Sequence, residues 1–250
     1  FQEIYLFLGG SATNDAGIGI ASALGYQFLD EQKTILEPIG KNLPLIKNIK
    51  SKPSFDFEKI KMTLLCDVTN PLFGANGAAH IYAPQKGATE EQVRYLDNGL
   101  RHFSNILQQQ SEIEVNQIPG SGAAGGIGAS LIALFGAKLE KGFEALARLT
   151  DLEKQIQLAD WVVSGEGKLD SQSLQGKVIG GIAELCEKHN KPLILFVGKN
   201  DLSEKSICQL RAKHIFSISE KAKDIEDAML NGAAYLEDMA TSFRRLIVTC

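Results

Sequence analysis

Long apolar runs are missing from this 250-residue chain. None approaches the ~20 residues that a membrane-crossing helix needs. The first residues show neither the basic start nor the apolar stretch of a secretory signal. Excess positive charge is missing too. Lys and Arg number 26 against 30 Asp and Glu, a net charge of −4. That balance argues against a sequence-independent grip on nucleic acid, which needs a basic face. The four cysteines (Cys66, Cys186, Cys208, Cys250) lie far apart and form no CxxC. They read as reduced thiols of a cytoplasmic protein, not as a disulfide framework or a zinc site. The four histidines show no HExxH or other metal spacing. His80 alone, just after a glycine-rich loop, is placed to line a site. No GxSxG elbow occurs, so no serine triad can be assembled. One more thing is missing: a lead-in. The chain opens with Phe1 and enters the apolar run Ile4–Leu8 almost at once, so an N-terminal segment is expected to precede it.

Glycine is what the chain has in plenty, 24 residues of it. Four segments share one design, an apolar run followed by a polar, glycine-rich loop: Leu6–Asp15, Leu64–Gly77, Ile118–Gly128 and Trp161–Gln172. In parallel α/β sheets, ligands bind just beyond the carboxyl ends of strands, and glycine lets backbone approach them closely. Hydrophobic residues make up 44 % and charged residues 22 %, which suits a globular protein able to build a substantial core.

Strands are predicted at Ile4–Leu8, Tyr26–Asp30 and Met62–Cys66, and helices at Ala16–Leu24 and Ser121–Phe135. Residues 38–60 read as irregular, and Ala137-Lys138-Leu139 as a poor strand. A long helix is predicted from Thr89 to about Gln110, with Thr89 as N-cap and Glu90 and Glu91 favouring the dipole. Helices Gly142–Arg148 and Asp151–Ala159 follow. Regular alternation comes next: strand Trp161–Ser164, helix Lys177–Lys188, strand Leu193–Val197, helix Ser203–Ala212, strand His214–Ile218, helix Asp224–Leu246. Such alternation implies a parallel sheet. A domain boundary is expected near residue 150.

Each motif has two readings. Gly120, Gly122 and Gly125 spell a formal GxGxxG, but a dinucleotide site needs a strand and a terminal acid after it. A broader reading is an anion site of exposed backbone N–H groups at a helix start, formed by Gly120, Ser121, Gly122, Gly125 and Gly126. The bland reading is a tight loop with close helix packing. Gly176-Lys177 resembles a P-loop only in those two residues, although Lys177 can still serve phosphate as a point charge. Asp15, Asp67 and Asp170 each follow a predicted strand. Carboxylates there suit Mg²⁺, which binds through one or two of them plus substrate phosphates; each alone is equally a turn former or helix cap. Lys86, held between Pro84 and Gly87, is either a site cation or a solvated surface lysine.

Taken in order, Gly9-Gly10-Ser11-Ala12-Thr13-Asn14-Asp15, Cys66-Asp67-Val68-Thr69-Asn70-Pro71-Leu72, Tyr82-Ala83-Pro84-Gln85-Lys86-Gly87-Ala88, Pro119-Gly120-Ser121-Gly122-Ala123-Ala124-Gly125-Gly126 and Ser164-Gly165-Glu166-Gly167-Lys168-Leu169-Asp170-Ser171-Gln172 resemble the bacterial glycerate kinase family, the type I enzymes. The resemblance runs from Phe1 to about Val197. It implies phosphorylation of D-glycerate by ATP with Mg²⁺, the 2-position favoured. It also implies an α/β fold of two domains with a cleft between them. Residues 1–150 would be most of an inserted α/β domain. Residues 151–250 would be the C-terminal part of a Rossmann-like parallel-sheet domain. Ala16 departs from the family, which usually continues with glycine there. A homodimer stays open.

Phosphoryl transfer asks mainly for positioning and charge neutralisation. On this reading Asp170 or Asp67 holds Mg²⁺ or accepts the substrate hydroxyl proton. Lys86 and Lys177 offset charge. Ser11, Thr13, Asn14 and Asp15 contact substrate. The loop from Gly120, together with Glu166, serves nucleotide or phosphate. The competing readings are a non-catalytic anion-binding module and an NAD(P)-dependent oxidoreductase.

Overall fold

The computed structural model describes residues 2–51, 57–171, 173–174 and 178–248. The chain divides into two compact units, Phe1–Gly142 and Phe143–Cys250. The boundary expected near residue 150 lies a few residues inside the second unit.

The first unit contains β1 (Glu3–Phe7), α1 (Ile18–Ala23), β2 (Tyr26–Leu29), β3 (Asn48–Ser51), β4 (Lys61–Leu65), α2 (Ala78–Tyr82), α3 (Glu90–Ser111), α4 (Ala123–Phe135) and β5 (Lys138–Glu140). Its main sheet is parallel, in the order β1-β4-β5, and β2 pairs β3 antiparallel. Parallel sheets are covered on both faces, and β4 accordingly buries Met62, Thr63, Leu64 and Leu65. The core gathers Leu64, Leu72, Leu100, Phe103, Leu107 and Leu131. Helix α3 begins as expected, with a complete capping box between Thr89 and Gln92. The poor strand is a strand after all. β5 is three residues long and survives because β4 offers it a parallel partner, Thr63 to Lys138 through Leu65 to Glu140. β3 likewise lies inside the stretch that reads as irregular.

The second unit contains α5 (Gly142–Leu149, whose first residue belongs to the first unit), α6 (Leu152–Leu158), β6 (Val162–Leu169), α7 (Val178–Lys188), β7 (Leu193–Asn200), α8 (Glu204–Leu210), β8 (His214–Ser217), α9 (Ile225–Leu230) and α10 (Gly232–Val248). The sheet is parallel in the order β6-β7-β8. Ile156, Leu169, Ile179, Leu193, Leu195 and Val197 form its core. Two expectations are corrected here. The last long helix is two helices, broken at Asn231-Gly232. β6 runs on through Gly165, Glu166, Gly167 and Lys168, which read as a loop. Their glycines serve close strand approach. A Cβ on Gly165 would sit 2.3 Å from Phe196 O, and one on Gly198 would sit 2.4 Å from Gly167 O. Among the described residues no helix is long and apolar enough to cross a membrane.

Candidate functional site

The loop after β1 supplies Ser11, Thr13, Asn14 and Asp15. The Asp15 side chain, 8 % exposed, accepts hydrogen bonds from the N–H groups of Gly17 (3.0 Å) and Gly19 (3.1 Å). Its carboxylate is therefore spent on starting α1. Ala16 sits at φ 53°, the left-handed region where glycine is unstrained. That is a physical reason for glycine at this position.

Lys86 lies in the short turn Pro84–Lys86, which ends at Gly87 with φ 93°. The half-buried side chain reaches back to the β1 loop. Its Nζ donates to Ser11 Oγ at 2.8 Å and to Thr13 O at 2.6 Å. Burial pushes the Lys86 ammonium below the usual lysine range, and Asp15 opposes that effect. Thr13, Asn14, Asp15 and Lys86 line one cavity of about 760 Å³. Both polar atoms of the Asn14 amide are buried with no hydrogen-bond partner among the described residues. Four of the residues singled out in the sequence thus meet in one place, and Ser11 is tied to them through Lys86. Ile39, Lys41 and Tyr95 also line the cavity. Sequence reasoning missed these three, because they lie in an irregular stretch and on a helix face that reads as ordinary.

The glycine-rich loop before α4 does something else. Residues Ala124, Gly125 and Gly126 are all left-handed, with φ of 53°, 73° and 86°, so the regular helix begins only after them. A Cβ on Gly122 would lie 2.0 Å from Pro71 O, and one on Gly125 would lie 2.1 Å from Thr13 O. The N–H groups of Ser121, Gly122 and Ala123 are taken by Ile118 O, Asn70 O and Gly120 O. Ser121 is fully buried. A Cβ added at Gly120, Gly122, Gly125 or Gly126 would meet neighbouring atoms at 3.0 Å or less, so these four glycines are tightly packed on that side. Their loop is a keystone: Gly125 O accepts the Ala16 N–H, and Asn70 O accepts the Gly122 N–H.

Asp67 stands exposed at the end of β4, where its Oδ1 accepts the Gly142 N–H at 2.9 Å. Next to it, burial pushes the Cys66 thiol up.

In the second unit, β6 and β7 end alike, in Gly167-Lys168-Leu169-Asp170 and Gly198-Lys199-Asn200-Asp201. The register sets Lys168 beside Lys199. Lys168 Nζ lies 3.6 Å from Asp170 Oδ2 and 3.2 Å from Asp201 Oδ2, and Lys199 Nζ lies 2.8 Å from Asp201 Oδ1. The Asp201 carboxylate, above all, raises the Lys168 ammonium, and Lys199 lowers Asp201. The repeated Gly-Lys-x-Asp spelling was the signal that could have revealed Lys199 and Asp201. Glu166 has one carboxylate oxygen buried with no hydrogen-bond partner among the described residues. It lines a second cavity of about 530 Å³ with Phe196 and Gly198. Lys177 lies outside the described residues.

These observations define a two-unit, parallel α/β protein whose polar residues gather at the carboxyl ends of its strands, where α/β proteins bind ligands. The profile of the Glycerate kinase family matches residues 1–248, and the chain belongs to that family. It is 39 % identical over 243 residues to a glycerate kinase of Halalkalibacterium halodurans, covering 96 % of this chain and 63 % of that protein. It is 40 % identical over 197 residues to the glycerate 2-kinase of Escherichia coli, covering 78 % of this chain and 52 % of that protein. A solved structure assigned to glycerate kinase 2 of Salmonella typhimurium LT2 superposes with a TM-score of 0.83 at 33 % identity, covering 99 % of this chain and 65 % of that one. The chain therefore spans less than two thirds of the length of each of these proteins.

Proposed function

We propose that this chain is part of a cytoplasmic kinase that transfers the γ-phosphoryl group of ATP to D-glycerate, forming 2-phosphoglycerate. Residues 1–150 would be most of the inserted domain, and residues 151–250 the C-terminal part of the Rossmann-like one. The observation that carries the reading is the environment of Lys86. Its ammonium is partly desolvated, lines a cavity and, among the described residues, is bonded only to neutral oxygens, Ser11 Oγ and Thr13 O. No carboxylate among the described residues forms an ion pair with it. A cation so placed favours an anionic ligand, and the glycerate carboxylate supplies one.

Asn14 adds the matching polarity. A 2-hydroxy acid offers a hydroxyl donor beside a carboxylate acceptor. The Asn14 amide offers an acceptor and a donor, both without a partner. Thr13 and Ser11 hold Lys86 in position.

Mg²⁺ fits the donor set in one form only. Among the described residues no group of three or more His, Cys, Asp and Glu side chains could hold a metal. Asp67 and Asp170 are hard oxygen donors near strand ends, suited to an ion that takes one or two carboxylates and completes its shell with phosphates and water. Such an ion supplies charge neutralisation on the transferring phosphoryl group. The residues' own part is then positional. Each unit offers a carboxylate that could accept a hydroxyl proton, Asp67 in the first and Asp170 in the second, and Lys86 holds the acid in the cavity of the first unit.

The test is ADP release by the full-length protein, with and without D-glycerate, followed by ³¹P NMR of the product. The proposal expects glycerate-dependent ADP and a 2-phosphate resonance. ADP release that ignores glycerate overturns it.

A further inference from the structure

The cavity of the first unit is too large and too apolar for glycerate alone. At about 760 Å³ it falls in the size range of sites for drug-sized ligands, whereas glycerate has three carbons. Lys86 and Asn14 are among its polar lining residues. Its lining also includes Ile39, 39 % exposed, and Tyr95, 45 % exposed. Exposed aliphatic and aromatic side chains inside a concave site mark a ligand with an apolar face. A hydroxy acid has no such face. Of the two substrates in the proposed reaction, only the nucleotide carries an aromatic ring.

We propose that the Ile39 and Tyr95 wall of this cavity binds the purine ring of ATP, so that one cavity receives the base and the acid. This rests on the kinase reading above and adds to it the place of the base. The tyrosine ring is fixed for the task. Its hydroxyl donates to Lys41 O at 3.0 Å, and its backbone belongs to the long, capped helix α3. An aromatic side chain held that way offers a stacking face at little cost in side-chain freedom. Lys41 itself lines the same cavity and forms no ion pair among the described residues, so it is available to the phosphates.

The test uses the full-length enzyme and the variants Tyr95→Ala, Tyr95→Phe and Ile39→Ser, each first checked for a wild-type circular dichroism spectrum. Stacking one base on one aromatic side chain is worth roughly tenfold or more in affinity. Tyr95→Ala should therefore raise KM for ATP about tenfold and leave KM for D-glycerate within about twofold, with Ile39→Ser acting in the same direction. Tyr95→Phe, which keeps the ring but loses the bond to Lys41 O, should fall between wild type and Tyr95→Ala. Photolabelling with 8-azido-ATP should mark peptides around residues 39–41 and 95. An unchanged KM for ATP in Tyr95→Ala, or labelling confined to the cavity beside Phe196 and Gly198, overturns the proposal. A wild-type enzyme that releases no glycerate-dependent ADP defeats the kinase reading instead, and the two failures are thereby distinguished.

Discussion

Replacing Gly125 by alanine tests whether the glycine-rich loop before α4 is a packing device. Gly125 has φ 73°, and its added methyl would lie 2.1 Å from Thr13 O and 2.9 Å from Asn14 Cα. Placing an L side chain in the left-handed region costs about 1–2 kcal/mol. Forcing a methyl into filled space costs about 1–3 kcal/mol. The stiffer unfolded chain returns about 0.4–1 kcal/mol. The net loss is about 1–5 kcal/mol, a large part of the stability of an ordinary domain. Gly10 is the control: its φ is 64° and nothing lies within 4 Å of the added methyl. Gly10→Ala carries the conformational cost alone, about 1 kcal/mol. Urea unfolding of both variants reads the difference, since at an m-value of about 1–3 kcal/mol/M a 3 kcal/mol loss moves the midpoint by about 1–3 M. If Gly125→Ala unfolds at the wild-type midpoint, or if Gly10→Ala loses as much, the packing argument fails and an open phosphate cradle regains its claim.

Other consequences follow from the charged groups. Asp170→Asn in the full-length enzyme should lower turnover at least about a hundredfold, the scale of losing one preorganised electrostatic group; steady-state ADP release measures it. Burial lowers the Lys86 ammonium, so kcat/KM for glycerate should fall on an alkaline limb below the ordinary lysine range. Lys86→Arg, whose charge persists, should abolish that limb even if it lowers the rate. Asp227 is held down to about 2, first by the Lys223 N–H and then by Tyr235 and Asn231. A depressed carboxylate stabilises the fold above its unfolded value and loses that contribution as pH falls through the folded one. Asp227→Asn should accordingly lower Tm at pH 7, and the difference should shrink as pH approaches 2.

Much of this architecture was legible in the chain. The strands around Leu64, Leu195 and Ile215 announced themselves as short apolar runs, and α3 by its apolar spacing and its Thr89 cap. Tertiary pairing decided the rest. Lys138–Glu140 is a strand only because β4 lies beside it, which no local pattern shows. Glu166 and Lys168 sit in β6 because ladder bonds to β7 continue past the apolar run. The loop at Gly120–Gly126 looked like a ligand cradle because glycine permits both ligand approach and backbone packing. Only the positions of Thr13 O and Pro71 O separate the two. The convergence of Ser11, Thr13, Asn14 and Lys86 was anticipated as motifs. The hydrogen bonds from Lys86 to the β1 loop were not, since the partners lie 75 and 73 residues away.

The central claim is that Lys86 receives the carboxylate of a small hydroxy acid. Steady-state kinetics of the full-length Lys86→Met enzyme, with D-glycerate varied at saturating ATP, tests it most directly. The account predicts kcat/KM for glycerate lower by at least about a hundredfold. A Lys86→Met enzyme with wild-type kcat/KM for glycerate would contradict it.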